Sequence, residues 1–389
     1  MTTTAPAKRI SRWWGIVIGT GVALSPIHNV WLTNLLTNSK GEVMFFLPAF
    51  GYLLVIMGAG LFLLNNWSRV KEVGWGDRRI IYCLMIIVVA IALSGSAYTG
   101  WQDRIAPLGM GLSLFALYLT SRVIGKAVFV PLAVGVVVAS LGIIAYAIWH
   151  PGTITGGFLF ERNRDIATGY ILMGTVLFNH KWQWLLAGLA VIALFLSGSA
   201  EAIFAGGVIV LTVMVRRDFG KKLVAVGVIL AMAVAFIIIS GWGYSLYRYT
   251  VGVAQQNPTA IYQPSDGDVT KVSPIAVRVL VIRDAFNALS PLGDGYNLTN
   301  FTRQTVHNVP LILVQQMGWT GILAGIAWLW VSIWCLIKTK WKYAWVSILA
   351  LAVFDHYMWT QLAPVFWLVV GASTADIETK TDMVFRDSK

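Results

Sequence analysis

Cysteine is almost absent from this chain, with two among 389 residues, Cys83 and Cys335. Both fall inside apolar runs, which excludes a disulfide framework, a CxxC metal site and a redox pair. Charge is scarce as well, at 12% of residues, and Asp plus Glu number 17 against 29 for Lys plus Arg. A chain that is 57% hydrophobic, with mean hydropathy +0.72, has too little polar surface for a water-soluble globule. Internal repeats of fixed period and low-complexity linkers are missing, so the chain reads as one membrane domain and not a string of modules. There is no phosphate-cradling Gly-rich loop, no HExxH and no GxSxG in a strand-to-helix setting, which removes the common nucleotide, zinc and serine-hydrolase chemistries.

What the chain has is apolar length. Runs of about 17–25 residues suffice to cross a bilayer as helices. The expected fold is all-α and polytopic, with about twelve transmembrane helices near 13–36, 44–64, 80–95, 105–121, 127–149, 165–179, 182–198, 201–215, 223–241, 309–337, 343–355 and 360–373. Basic clusters mark every second connection: Lys8, Arg9 and Arg12; Arg69, Lys71, Arg78 and Arg79; Arg122 and Lys126; Lys181; Arg216, Arg217, Lys221 and Lys222; Lys338, Lys340 and Lys342. Because Lys and Arg collect on the cytoplasmic side, this alternation puts both termini in the cytoplasm of a multi-pass inner-membrane protein. The net charge of +12 is then a topology signal, and no nucleic-acid partner is needed to explain it. The first helix, lacking a short apolar region followed by a small-residue cleavage site, reads as a retained anchor.

Three segments follow: N-terminal transmembrane helices over 1–241, a large extracytoplasmic loop over 242–310, and C-terminal transmembrane helices with a cytoplasmic tail over 311–389. A loop that long is expected to contain helix and to carry function. Within it, residues 273–289 (SPIAVRVLVIRDAFNAL) form a predicted helix with Ser273 as N-cap and Pro274 at the first helical position. Arg283 lies on its polar face, whereas Arg278 stands in the apolar stripe and needs an anionic partner, because guanidinium keeps its charge. That partner is either a ligand or a carboxylate such as Glu201 or Asp355.

The loop ends on His307 and Asn308, just before a long apolar segment whose strongly polar interruptions are Gln315 and Gln316. Histidine is the side chain whose unperturbed pKa lies near neutrality, so His307 is either a proton-transfer group or a cap for the next helix. The expected outer face also gathers His150, Arg162, Arg164, Ser199, Glu201, Arg303, Asp355 and His356. Arginines can fork onto phosphate oxygens and stabilise a leaving diphosphate, and a histidine or carboxylate can take the proton from an attacking hydroxyl. The closing stretch DHYMWTQ, residues 355–361, has an alternative reading as an interfacial aromatic belt. Asp266 and Asp268 read as a solvated turn and not a cation site.

In this order the motifs resemble those of the O-antigen ligase and polymerase family of bacterial membrane glycosyltransferases. The resemblance rests on Gly293-Asp294-Gly295-Tyr296, His307-Asn308 and Gly318 with Gly321. Upstream of these stand Arg278 with Pro291-Leu292-Gly293, Gly157-Phe158, and Asn163 with Ala167; downstream comes Asp355-His356-Tyr357 with Trp359-Thr360. It covers roughly residues 150–372. It implies transfer of a glycan from an undecaprenyl-diphosphate-linked donor to an acceptor glycan, lipid A core or protein hydroxyl. The reaction would be inverting, with neither metal nor cofactor. His307 inherits the role of general base and Arg278 that of diphosphate clamp. Arg283, Arg303, Arg162, Arg164, Asn308, Glu201, Ser199 and His356 then form the substrate-binding set among membrane lipids. One departure stands out: the family's Ser-Arg pair is here Ser199-Ala200-Glu201, so one arginine is missing. The alternatives are a lipid-linked glycan transporter or flippase, expected to show repeats and mid-membrane charges, and a peptidoglycan-type polymerase.

Overall fold

The computed structural model describes residues 5–27, 47–73, 76–94, 101–150, 156–160, 164–197, 200–215, 289–293 and 308–387. Among these the secondary structure is helical and contains no strand. In chain order the helices are α1 (Ala5–Leu24), α2 (Leu47–Asn65), α3 (Trp67–Val73), α4 (Arg78–Leu93) and α5 (Trp101–Ile124). After a 3₁₀ turn (Gly125–Val128) come α6 (Phe129–Trp149), α7 (Gly157–Phe160), α8 (Arg164–Leu177), α9 (Gln183–Leu196) and α10 (Ala200–Val215). The last are α11 (Val309–Lys338), α12 (Lys342–Phe354) and α13 (Ala363–Asp387). Each apolar run expected from the sequence overlaps one of these helices except 223–241, which lies outside the described residues.

Length and composition qualify two runs as long enough to cross a membrane, Leu108–Trp149 and Val309–Lys338, or up to three if the bent pair Phe50–Asn65 and Trp67–Val73 counts as one. Twelve spans are therefore not carried by the described residues. Two helices with described residues on both sides are short: α9 has 14 residues and α12 has 13. At 1.5 Å per residue these reach only about 20 Å, against a hydrocarbon core of about 30 Å.

Packing relies on close approach. Helix α13 lies along α5, α1 along α2, α11 along α4, and α6 along α9, while α8, α10 and α12 contact one another. In a bilayer, where lipid is as apolar as leucine, such contacts depend on dispersion and on small residues that let backbones meet. A buried aromatic centre joins α11, α12 and α13. Trp328 stacks on Phe366 at 5.0 Å, Trp345 meets Phe366 edge-on, and the Trp345 indole N–H donates to Ser373 Oγ at 3.1 Å.

Helix α11 departs most from expectation, because its 30 residues are not one straight rod. Gly318 breaks it with φ 59° and ψ −131°, a conformation closed to most residues bearing a Cβ. Beyond the break the chain folds back on itself. A Cβ placed on Gly321 would sit 2.6 Å from the Leu313 carbonyl carbon and 2.9 Å from Val314 Cα, and one on Gly325 would lie 3.7 Å from the Pro310 oxygen. In a continuous helix residues 313 and 321 would be about 12 Å apart along the axis. Residues 309–317 thus form the short limb of a helical hairpin against the limb that runs from Trp319 to Lys338. The segment 289–293 wedges at its tip, where the Trp319 N–H donates to the Pro291 oxygen at 3.2 Å.

Charge is partitioned between the two ends of the bundle. Helices α8 and α10 start, and α12 finishes, at an end that carries Asp165, Glu201 and Asp355. The start of α12 lies at the opposite end, where Lys126 stands over Trp341 at 5.8 Å and Phe129 meets the same ring at 5.2 Å. Nearby, the buried Arg122 donates from Nη2 to the Val73 oxygen at 3.4 Å.

Candidate functional site

The acidic end holds the densest group of titratable side chains among the described residues. Asp165 sits in the first turn of α8, Glu201 in the first turn of α10, and Asp355 directly after α12. One carboxylate oxygen from each lies within 4.8 Å of the others. The convergence follows from packing: α8, α10 and α12 contact one another, which sets the first turns of α8 and α10 beside the end of α12. Asp355 is 3% exposed and His356 9%. The His356 Nδ1 lies 2.8 Å from Asp355 Oδ1, and the directed hydrogen bond to that oxygen comes from the His356 backbone N–H at 2.6 Å. Arg164 Nε stands 3.8 Å from Asp165 Oδ1 at the more open rim.

Tyr357 reports the electrostatics. Its phenol is pushed well above the usual tyrosine range, first by burial and then by the negative fields of Asp355, Asp165 and Glu201. Two full charges at the 4.8 Å limit repel by about 3–4 kcal/mol at an effective dielectric near 20. Basic side chains beside the cluster include Arg164 at Asp165 and His356 at Asp355. The three carboxylate oxygens are acceptors for a guanidinium N–H and hard ligands of the kind a divalent cation takes.

The turn after α12 is held by the short limb of the hairpin. Asn308 caps α11: its side chain accepts from the Leu311 N–H at 3.3 Å, and its Nδ2 donates to the Val353 oxygen at 3.2 Å, two residues before Asp355. Further along, the Trp359 indole N–H donates to Gln316 Oε1 at 3.0 Å, with Gln316 1% and Trp359 0% exposed. The Trp359 backbone N–H in turn donates to the His356 oxygen at 2.9 Å. The short limb of the hairpin is thus bonded at its start to the last turn of α12 and near its tip to the turn that bears the Asp355–His356 pair.

Four residues expected at the site are described. Glu201 and His356 come together in the cluster, Arg164 lies at its rim, and Asn308 is engaged in capping and in the bond to Val353. Asn308 rather than His307 is the helix cap. His307, Arg278, Arg283, Arg303, Arg162 and Ser199 lie outside the described residues, as does the expected helix over 273–289 apart from Leu289. The stretch after Asp355 is not an interfacial belt, since Met358 and Trp359 are buried. Sequence reasoning missed Asp165 and Tyr357 as members of the group; the only signal was an acidic residue in the first turn of a short apolar helix.

No family model matches the chain, and a search of curated proteins gives no match. The family resemblance therefore stands on the quoted residues alone.

Proposed function

We propose that this protein is a membrane glycosyltransferase that moves a glycan from a polyprenyl diphosphate to an acceptor hydroxyl at the outer face of the cytoplasmic membrane. The supporting observation is the Asn308–Val353 bond, which ties Asn308 to the last turn of α12, two residues before Asp355. His307 is one peptide bond from Asn308, with consecutive Cα atoms about 3.8 Å apart. In this account His307 takes the proton of the acceptor hydroxyl, whose oxygen attacks the anomeric carbon as the bond to the diphosphate breaks, inverting that centre. Arg278, assisted by Arg283 and Arg303, meets the charge that builds on the leaving diphosphate. The finer topology belongs to the same proposal: twelve crossings, both termini cytoplasmic and the acidic end outward. The site then lies in a recess below the outer surface, where a polyprenyl headgroup enters sideways from lipid.

Three carboxylates would by themselves repel a diphosphate, so arginines of the loop are the required complement. The same recess favours a second reading, a transporter or flippase for a lipid-linked glycan, because ionisable groups held within the bilayer mark transport paths. One experiment separates the two. The purified protein in liposomes, given an undecaprenyl-diphosphate-linked glycan and an acceptor, should release undecaprenyl diphosphate. Movement of intact donor between leaflets without release would establish transport and sink the transferase account. Reporter fusions at Ser265 should read outside and at Gly220 inside; the reverse would remove the site from the outer face.

A further inference from the structure

We propose that Gln316 is a positioning residue for the Asp355–His356 pair, acting through Trp359. The inference rests on the acidic end being the reaction site, but its geometry stands independently of which glycan is moved. Gln316 is a polar side chain at 1% exposure in an otherwise apolar segment. Burying an amide costs free energy unless it is bonded, and a leucine would pack there without that requirement. Its Oε1 accepts the Trp359 indole N–H at 3.0 Å, and the Trp359 backbone N–H reaches the His356 oxygen at 2.9 Å. The turn then closes through the Leu362 N–H on the Tyr357 oxygen at 2.7 Å.

Gln316 lies two residues before the Gly318 reversal, and a Cβ on Gly318 would come within 2.6 Å of the Gly293 nitrogen. The bond therefore links the hairpin tip, and the segment at the end of the large loop that wedges there, to the orientation of the imidazole. The groups that face His356 among the described residues are Asp355 and Tyr357 on its own turn, with Asp165 on α8 and Glu201 on α10 close to Asp355.

The test separates positioning from simple stabilisation by using both partners. Gln316→Met removes the Oε1 acceptor of the indole N–H, so it should lower the thermal midpoint and also kcat, by as much as about 10²-fold for a displacement near 1 Å, with donor KM little changed. Combining Gln316→Met with Trp359→Phe removes donor and acceptor together, which lifts the cost of the broken bond, while the smaller ring leaves a cavity at a fully buried position. The double variant should regain part of the thermal midpoint yet keep the low kcat. It should also keep an altered ¹⁵N signature of the His356 ring, identified by loss of that signal in His356→Gln. Recovery of both kcat and ring signature in the double variant would show that Gln316 only stabilises the fold and would overturn the proposal. If the wild-type protein moves no glycan, the functional account fails while the His356 signature still decides positioning: unchanged in Gln316→Met, it overturns the proposal, and altered, it upholds it.

Discussion

Alanine at each of three glycines of the hairpin should give effects of different sign, which a straight α11 could not produce. At Gly318 the backbone at φ 59° and ψ −131° strains any residue with a Cβ by about 1–3 kcal/mol. The new methyl also meets backbone at the Gly293 nitrogen, 2.6 Å away, and the Pro291 carbonyl carbon at 2.7 Å, adding an overpacking cost of about 1–3 kcal/mol. Gly318→Ala should thus destabilise by about 2–6 kcal/mol in total. Gly321→Ala meets the Leu313 carbonyl carbon at 2.6 Å and Val314 Cα at 2.9 Å; these are main-chain atoms that cannot rotate away, so about 1–3 kcal/mol is expected. At Gly325 the nearest atom is the Pro310 oxygen at 3.7 Å, ordinary contact. Gly325→Ala should there be neutral or stabilise by up to about 1 kcal/mol through helix propensity. Thermal unfolding of the three variants in one detergent, followed by tryptophan fluorescence, reads the order directly. Equal stabilisation by all three would mean an unbroken helix and would refute the hairpin.

Arg278 separates charge from shape: Arg278→Lys should weaken donor use substantially because the two-pronged geometry is lost, and Arg278→Met should be worse for transfer yet neutral or mildly favourable for stability. An unstable Met variant beside a fully active Lys variant would make Arg278 a structural partner of the acidic cluster, and the clamp would have to be sought among Arg162, Arg164, Arg283 and Arg303. Tyr357, raised by burial and then by Asp355, Asp165 and Glu201, should ionise after the exposed tyrosines in an ultraviolet titration. Because the folded state holds that proton more tightly, its contribution to stability is complete below the ordinary tyrosine value near 10 and is lost as pH rises above it. Asp355→Asn should bring the Tyr357 titration down, and an unmoved titration would place the carboxylate elsewhere.

The helical fold and the positions of its apolar segments were legible in the sequence, because hydropathy reports apolar length directly. The shortness of α12 was legible too, in its 13 residues, but the site at its end was not. Convergence of Asp165, Glu201 and Asp355 depends on which helices neighbour one another, and three single acids separated by dozens of residues carry no periodic signal. The Gly318 reversal was hidden for a related reason. An apolar run of 30 residues has the composition of a span whether or not it folds back, and Gly318 with Gly321 fits a family motif as readily as a hinge. Gln316 and Trp359 looked like isolated polar and interfacial residues until the hairpin brought them within one hydrogen bond.

The most direct test of the central claim is the single-turnover rate of glycan transfer by His307→Ala against wild type, in liposomes with saturating lipid-linked donor and matched amounts of folded protein. Loss of a general base costs about 10²–10⁴-fold, while the Asn308 cap and its bond to Val353 should leave the fold intact. A loss in that range with an unchanged thermal midpoint is the expected result, and near wild-type turnover would contradict the assignment of His307 as the base.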